Sequence, residues 1–120
     1  MNATSTNYTQ NALQAILEVF TEFASNELTY SRMIETPCCI DAIINGFILK
    51  PKKLFPANIY PEIAHILTNL SAIDDMQILS KLIDIGLPIA VVTLMAEFGR
   101  RSLSVTFGCL DSLVNLFNCY

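Results

Sequence analysis

The sequence predicts an all-α protein, and three observations support that fold class. Apolar residues recur at the i, i+3, i+4, i+7 spacing that gathers them on one face of a helix. No stretch alternates apolar and polar residues for long enough to predict a half-buried strand. At Gly86-Leu87-Pro88 the chain has a glycine where a helix can end in a left-handed residue. The proline then stands where the next helix can start.

Three helices carry the clearest apolar periodicity, which is typical of the core-facing side of an amphipathic helix. Their apolar positions are Leu13, Ile16, Leu17, Phe20 and Phe23 in the first, Ile63, Ile66, Leu67 and Leu70 in the second, and Leu103, Phe107, Leu110, Leu113 or Val114, and Phe117 in the third. Shorter helices are predicted for residues 28–35, 40–49, 76–85 and 88–98.

The breaks between helices have matching local chemistry. Pro61 suits the first turn of a helix, because its missing N–H would have no partner within the helix there. Asp74-Asp75 is a typical N-cap for the helix that follows. We expect Gly99 to end the helix that starts at Pro88, in the same left-handed way as Gly86. Residues 50–61 hold three prolines and predict a loop or a broken short helix.

Composition indicates one small domain, part of whose surface is covered. The chain has 120 residues, and we place its helical domain at residues 11–120, after a polar segment at residues 1–10. Only 15% of residues are charged, against a usual share of about 25%. So little charge predicts that part of the surface is covered by a partner or by further sequence. The net charge is −4 and no basic stripe is present, so direct nucleic-acid binding is not expected.

The sequence predicts neither secretion nor a membrane partner. The N-terminus lacks the basic start and apolar core of a signal peptide. The most apolar run, residues 85–96, is too short to span a bilayer. The cysteines have no C-x-x-C spacing, and we interpret them as reduced and mostly buried: Cys38, Cys39, Cys109 and Cys119. A location in the cytoplasm, the nucleus or both is expected.

The chain resembles itself at an interval of 46 to 49 residues. The segment S-R-M-I-E at residues 31–35 matches S-K-L-I-D at residues 80–84. The segment L-T-N-L at residues 67–70 matches both F-T-E-F at residues 20–23 and L-V-N-L at residues 113–116. A period in the forties in a helical chain predicts a solenoid, in which each unit buries its apolar face against its neighbours.

The order of these segments resembles the armadillo-repeat family, most closely the importin-alpha type. H-I-L-T-N-L-S-A is similar to the end of a third helix, M-Q-I-L-S-K-L-I-D-I-G-L-P to a first helix and its turn, and I-A-V-V-T-L-M to a second helix. Residues 12–49 are a fainter copy, with Thr36-Pro37 in place of the glycine turn, and residues 100–117 are similar to one more third helix. The resemblance implies a right-handed superhelix of about two to three repeats.

In importin-alpha-like proteins the third helices line a groove for extended basic peptides. A Trp stacks on lysine stems, and an Asn four residues later bonds the peptide backbone. The asparagine position falls here at Glu22, Asn69 and Asn115, and the tryptophan position at Glu18, His65 and Asp111. The chain contains no Trp, which argues against binding a nuclear-localisation signal in the usual way. With Glu62, these residues form the expected partner-binding face, and its acidic groups can attract a basic partner.

Other sites are weaker predictions. Glu62 and His65 can form an acid/base pair, but no second histidine or glycine-rich loop accompanies them, so we interpret them as part of a polar stripe. We expect no metal and no cofactor, because three good ligands do not come together. The one basic cluster, Lys50-Pro51-Lys52-Lys53, is interpreted as a solvated loop.

The sequence therefore predicts a non-catalytic protein-interaction module, resembling part of an importin-alpha-like nuclear import adaptor. Its partner is a protein or peptide, and self-association through uncapped solenoid ends is expected as well. Two alternatives stay open. One is a small all-α enzyme or ligand-binding bundle with Glu62 and His65 near a pocket. The other is a helical adaptor that folds onto another subunit.

Overall fold

The computed structural model describes the backbone of residues 3–52 and 54–119, and the side chains of residues 11–52 and 54–118. This part of the chain is helical and contains no strand. The α-helices are α1 (Ala3–Ser25), α2 (Glu27–Glu35), α3 (Cys39–Ile44), α4 (Tyr60–Ser71), α5 (Met76–Ile85), α6 (Leu87–Phe98) and α7 (Leu103–Cys119). A π-helical turn (Asn45–Leu49) extends α3, and 3-10 turns precede α4 (Ala57–Ile59) and follow α6 (Gly99–Arg101). The all-α prediction is confirmed.

The helices pack so that similar elements of the chain meet. Helix α4 lies between α1 and α7 and packs against both. Helix α5 packs against α2 and α3, and α6 packs against the π-helical turn that follows α3. Helices α5 and α6 also contact α4, and α6 packs against α7. The radius of gyration is 14.1 Å, close to the roughly 13.6 Å expected of a compact domain of this length.

Several helix boundaries follow the predicted chemistry. The carboxylate of Asp75 accepts hydrogen bonds from the backbone N–H groups of Gln77 and Ile78, at 3.0 and 3.2 Å, and so caps α5. Gly86 has a φ of 118°, a left-handed conformation that a glycine adopts without strain. Pro61 lies in the first turn of α4.

Gly99 ends α6 as predicted, but without the left-handed conformation. Its φ is −61°, and the chain continues into the 3-10 turn instead of reversing through a left-handed residue. A Cβ at this position would lie 2.9 Å from the hydroxyl oxygen of Thr106. That hydroxyl donates to the Gly99 carbonyl at 2.7 Å. The glycine is therefore needed for a close approach to α7.

Two other boundaries also differ from the predictions. The helix predicted over residues 40–49 changes from α to π hydrogen bonding at Asn45. Helix α1 begins at Ala3 and so extends into the polar segment at residues 1–10. Residues 50–52 and 54–56 are irregular, as their prolines predict. Lys53 lies outside the described residues.

The core is centred on α4. The four apolar residues predicted for this helix, Ile63, Ile66, Leu67 and Leu70, are all buried. Helix α4 can bury residues in several directions because it lies between α1 and α7 and also contacts α5 and α6.

The predicted core faces of the outer helices are wrong in part. On α1, Leu17 is buried, but Ile16 and Phe23 are exposed. On α7 most predicted positions are exposed, whereas Leu113, the alternative to Val114, is half-buried against the core; the exposed ones are Leu103, Phe107, Leu110, Val114 and Phe117. The face of α7 that is buried carries Val105, Cys109, Ser112 and Leu116. Ser112 contacts Thr68 of α4 on this face, beside Gly108, where α7 approaches α4 closely.

The burial predicted for the cysteines holds for most of those described. Cys109 is buried, Cys39 is half-buried and Cys38 is exposed, so the expected burial fails at Cys38; the side chain of Cys119 lies outside the described residues.

Among the helices described, none is by itself both long and apolar enough to cross a membrane. The pair Met76–Ile85 and Leu87–Arg101 reaches that length and composition only together, with a bend of 56°.

Candidate functional site

The seven residues predicted to form a binding face lie on three adjacent helices. Glu18 and Glu22 are exposed on α1, and Asp111 is exposed on α7. The central helix α4 carries Glu62, His65 and Asn69, of which His65 is exposed and the other two are half-buried. Asn115, on α7, is half-buried too.

One groove of about 570 Å³ lies between α1 and α4. Three carboxylates line it, those of Glu18, Glu22 and Glu62, together with His65. The remaining lining residues are small or apolar apart from one threonine: Ala15, Val19 and Thr21. This groove therefore brings together four of the seven predicted residues.

A second groove, of about 560 Å³, lies between α4 and α7. Glu62 and His65 line it as well, with Asn69 and Asp111. Its other lining residues are Pro61, Thr68, Ser104, Phe107 and Gly108. Asn115 does not line either groove, so the structure leaves one predicted residue outside the site.

The two grooves share Glu62 and His65 and therefore form one face across α1, α4 and α7. Four carboxylates line this face, and neither groove has a lysine or an arginine among its lining residues. Like charges close together in an open groove create a negative potential that attracts cations. We call this surface, the combined lining of the two grooves, the acidic face.

The carboxylate of Glu62 is held in place by α1. Thr21 is buried, and its hydroxyl donates to Glu62 Oε1 at 2.6 Å. A hydrogen bond to a charged acceptor is stronger than one between neutral groups. The bond fixes the carboxylate at the boundary between the two grooves.

The two predicted asparagines connect neighbouring helices. Asn69 Nδ2 donates to the Thr21 carbonyl on α1 at 3.1 Å. Asn115 Nδ2 donates to the Ser71 hydroxyl on α4 at 3.2 Å. An asparagine amide has two N–H donors and one carbonyl acceptor, so a single bond leaves one donor and the oxygen for a further partner. Only Asn69 is at a groove where such a partner can reach it.

Sequence reasoning missed the hydroxyl groups that join these helices. The Thr68 hydroxyl lies 2.9 Å from the Gly108 carbonyl on α7, and Ser112 Oγ lies 3.3 Å from Thr68 Oγ1. The repeat contained a signal for the threonines, since F-T-E-F and L-T-N-L both have threonine in second place, at Thr21 and Thr68.

Glu62 and His65, the candidate acid/base pair, line both grooves. The carboxylate bonds Thr21, and His65 is exposed to solvent in grooves that do not exclude water. Burial raises the pKa of the Cys109 thiol to about 11, so this group stays protonated at neutral pH. No group of three or more His, Cys, Asp or Glu side chains that could hold a metal ion occurs among the residues described.

The basic cluster of the sequence lies at a different surface. Lys50 and Lys52 line a separate groove with Asp41 and Phe55, between α3 and the irregular segment that follows its π-helical turn. Lys53 lies outside the described residues. The acidic face is therefore not neutralised by the lysines that line this groove.

Comparisons with known families, curated proteins and solved structures found no match for this chain. No protein-family model matches the sequence. No match is found among curated proteins. No solved structure matches the fold either.

Proposed function

We propose that this protein is a non-catalytic, armadillo-like interaction module that binds an extended basic segment of a partner protein along the acidic face. The observation that carries the proposal is the acidic face itself, with four carboxylates and no lysine or arginine in either groove. An adaptor of this kind, similar to part of an importin-alpha-like import receptor, works in the cytoplasm and the nucleus.

The packing of the helices supports the armadillo-like assignment. Helices α1, α4 and α7 correspond to successive third helices, α2 and α5 to first helices, and α3 with its π-helical turn and α6 to second helices. Corresponding elements contact each other in every case: α4 contacts α1 and α7, α5 contacts α2, and α6 contacts the π-helical turn. This is the neighbour-to-neighbour contact expected of a solenoid.

An extended ligand fits the arrangement of the grooves. The grooves lie side by side across three helices, so a ligand that reaches both must cross α4 at Glu62 and His65. A folded domain does not enter two such grooves as readily as a single extended chain. The free N–H and carbonyl oxygen of Asn69 can bond the backbone of that chain.

The missing tryptophans define how such binding would work. Without an aromatic platform, lysine stems have no ring to stack on, and attraction rests on charge and on the Asn69 amide. Charge attraction across an open groove is screened by salt, with a Debye length of about 8 Å at physiological ionic strength. We expect binding that is modest in affinity and weakens steeply as salt increases.

Fluorescence anisotropy with a labelled, unstructured peptide rich in lysine and arginine tests the proposal. The double variant Glu18→Gln/Asp111→Asn removes one charge from each groove, and we expect it to weaken binding by about tenfold. The matched control is Glu35→Gln/Asp84→Asn, which removes the same charge from exposed positions on α2 and α5 that line neither groove. We expect the control to change affinity by less than about twofold.

Equal losses in the two double variants would show that net charge, and not the acidic face, attracts the peptide. The absence of binding by the parent protein would remove the proposal altogether. A pull-down from cell extract with Asn69→Ala and Glu22→Ala extends the test to natural partners. Both variants are expected to capture less of any partner that uses the acidic face.

A further inference from the structure

Helix α7 presents a continuous apolar stripe to solvent, separate from the residues that it buries. Its five residues are spaced by four, three, four and three positions, and their exposed fractions are Leu103 72%, Phe107 61%, Leu110 45%, Val114 56% and Phe117 79%. This spacing averages 3.5 residues, which is the repeat of an a/d seam in a coiled coil. A seam of this kind over the length of one helix favours a second helix as its partner.

The stripe differs in chemistry from the corresponding faces of α1 and α4. Where α1 meets α4 it uses Thr21, and where α4 meets α7 it uses Thr68 and Ser71, whose oxygens bond the next helix. On α7 the positions 46 residues after Thr68 and Ser71 are Val114 and Phe117. These side chains cannot hydrogen-bond an incoming asparagine or serine, so the stripe does not suit another helix of the α4 or α7 kind.

The five positions of the stripe carry no charged side chain. Asp111 is the only charged residue of α7, and it lines the α4–α7 groove. Two copies of the stripe can therefore meet without bringing lysines, arginines or carboxylates from its five positions together.

We propose that two copies of this chain form a symmetric dimer in which the apolar stripes of the two α7 helices pack against each other. The five side chains expose roughly 600 Å² per copy, or about 1,200 Å² for the pair, which reaches the lower limit for a stable specific interface. Neighbouring residues on either side of each seam add to this area. The stripe meets the acidic face at Phe107, which lines the α4–α7 groove, whereas Val114 and Phe117 line neither groove.

The alternative occupant is the outer side of α1 of another copy, in a head-to-tail chain. Among its described side chains, helix α1 exposes a shorter set of apolar residues, Ile16, Val19 and Phe23, of which Val19 also lines the α1–α4 groove. A symmetric pair closes at two copies, whereas head-to-tail contacts continue into longer assemblies unless they form a ring. The two arrangements therefore predict different species and different sensitive residues.

Analytical ultracentrifugation of the 120-residue chain tests the dimer, with Val114→Glu as the main variant. A carboxylate within the apolar stripe is expected to raise the dimer dissociation constant on the order of 100-fold. The matched control is Val19→Glu on α1, because Val19 and Val114 are similarly exposed, at 49% and 56%. The control is expected to remain dimeric.

Phe117→Glu is the second variant, since its side chain is the most exposed of the stripe and the fold is least dependent on it. Far-UV circular dichroism verifies that each variant is folded. A monomeric parent overturns the proposal, and so does a dimer that resists both α7 variants. A concentration-dependent series of larger species that Val19→Glu dissolves overturns it in favour of head-to-tail association.

Discussion

The two contacts on either side of α4 use the same register but different chemistry. We call them the first seam, between α1 and α4, and the second seam, between α4 and α7. In the first seam, Glu62 is an α4 residue that contacts α1. The equivalent residue of α7, 46 positions later, is Gly108, which contacts α4 in the second seam. Glu62 accepts a hydrogen bond from the side chain of Thr21, whereas the backbone carbonyl of Gly108 accepts one from Thr68.

The glycine lets the second seam close more tightly at this position. A Cβ built on Gly108 would lie 3.1 Å from the Cβ of Ala64, which is closer than ordinary van der Waals contact. The first seam instead holds a carboxylate at the boundary of two open grooves. Equivalent positions of the two similar helices therefore differ: the glycine allows close packing, whereas the glutamate holds a carboxylate at the boundary of the two grooves.

The largest effect is expected from filling the second seam with Gly108→Val. The added side chain has no space beside Ala64, so we expect a loss of about 2–3 kcal/mol in the free energy of unfolding, measured by urea denaturation. Gly46→Ala is the matched control, because a Cβ at Gly46 meets nothing within 4 Å. The control is expected to be neutral or stabilising by less than about 1 kcal/mol. If Gly108→Val is also neutral, the second seam is not tightly packed.

Next in size is the removal of the threonine hydroxyl from each seam. Thr68→Val loses the bond to the Gly108 carbonyl and leaves Ser112 without one of its partners, so we expect a cost of about 1–2 kcal/mol. Thr21→Val is expected to cost less, about 0.5–1 kcal/mol, since Glu62 can regain water through the open grooves. Thr93→Val serves as control, because no hydrogen bond joins Thr93 on α6 to another helix in the described part of the chain. If Thr21→Val lowered the free energy of unfolding more than Thr68→Val does, the two seams would not differ as described.

Alkaline pH is expected to lower the stability of the folded chain through Cys109 of α7. The equivalent residue of α4, 46 positions earlier, is Ile63, which does not titrate. Burial raises the pKa of this thiol from 9.0 to about 11. The folded chain thus binds the thiol proton more tightly than the unfolded chain, so the group's contribution to stability is complete below pH 9 and is lost as the pH rises toward 11. At pH 10 the loss amounts to about 1 kcal/mol.

The variant Cys109→Ala isolates this contribution in urea denaturation at several pH values. Its stability is expected to fall less than that of the parent between pH 8 and 10. Both proteins keep Tyr60, whose pKa is raised by burial and by the Glu97 carboxylate, so its alkaline titration cancels in the difference. Parallel pH profiles would mean that the thiol reaches solvent easily in the folded state.

The smallest effect on stability is expected at the charged position of the first seam. Glu62→Gln keeps an oxygen that can accept from Thr21, and we expect the free energy of unfolding to change by less than about 0.5 kcal/mol. The same variant removes a charge shared by both grooves, so basic-peptide affinity measured by anisotropy should fall. A large loss of stability without a loss of affinity would assign Glu62 to packing, as for Gly108.

The acidic face could be predicted from the sequence only in outline. Helical phase was enough to place Glu18, Glu62, His65 and Asp111 on neighbouring surfaces, because charges on exposed helix positions need no particular contact. Asn115 was placed at the groove by the same reasoning, yet it bonds Ser71 away from it. Which partner an amide meets depends on the distance between helices that are more than 40 residues apart in the chain.

Helix α7 shows the limit of reading a core from periodicity. Its buried face has the same helical spacing as the stripe, but Ser112 interrupts the apolar pattern there, so apolar periodicity predicted the face that the structure exposes. The close approach of α4 at Gly108 favours small side chains at the contact and leaves the large ones outside. Hydrophobic periodicity identifies a helix, but it does not distinguish a core face from a binding face.

What the sequence determined by itself was local. The helical class, the cap at Asp75, the left-handed turn at Gly86 and the interval between similar segments each depend on residues close together in the chain, and short-range sterics and hydrogen bonding fix them. The tertiary structure alone decided the hydroxyl bonds of the seams, the position of Glu62 between two grooves and the buried face of α7. These depend on how closely distant helices approach, and that distance is set by the packing of all their side chains together.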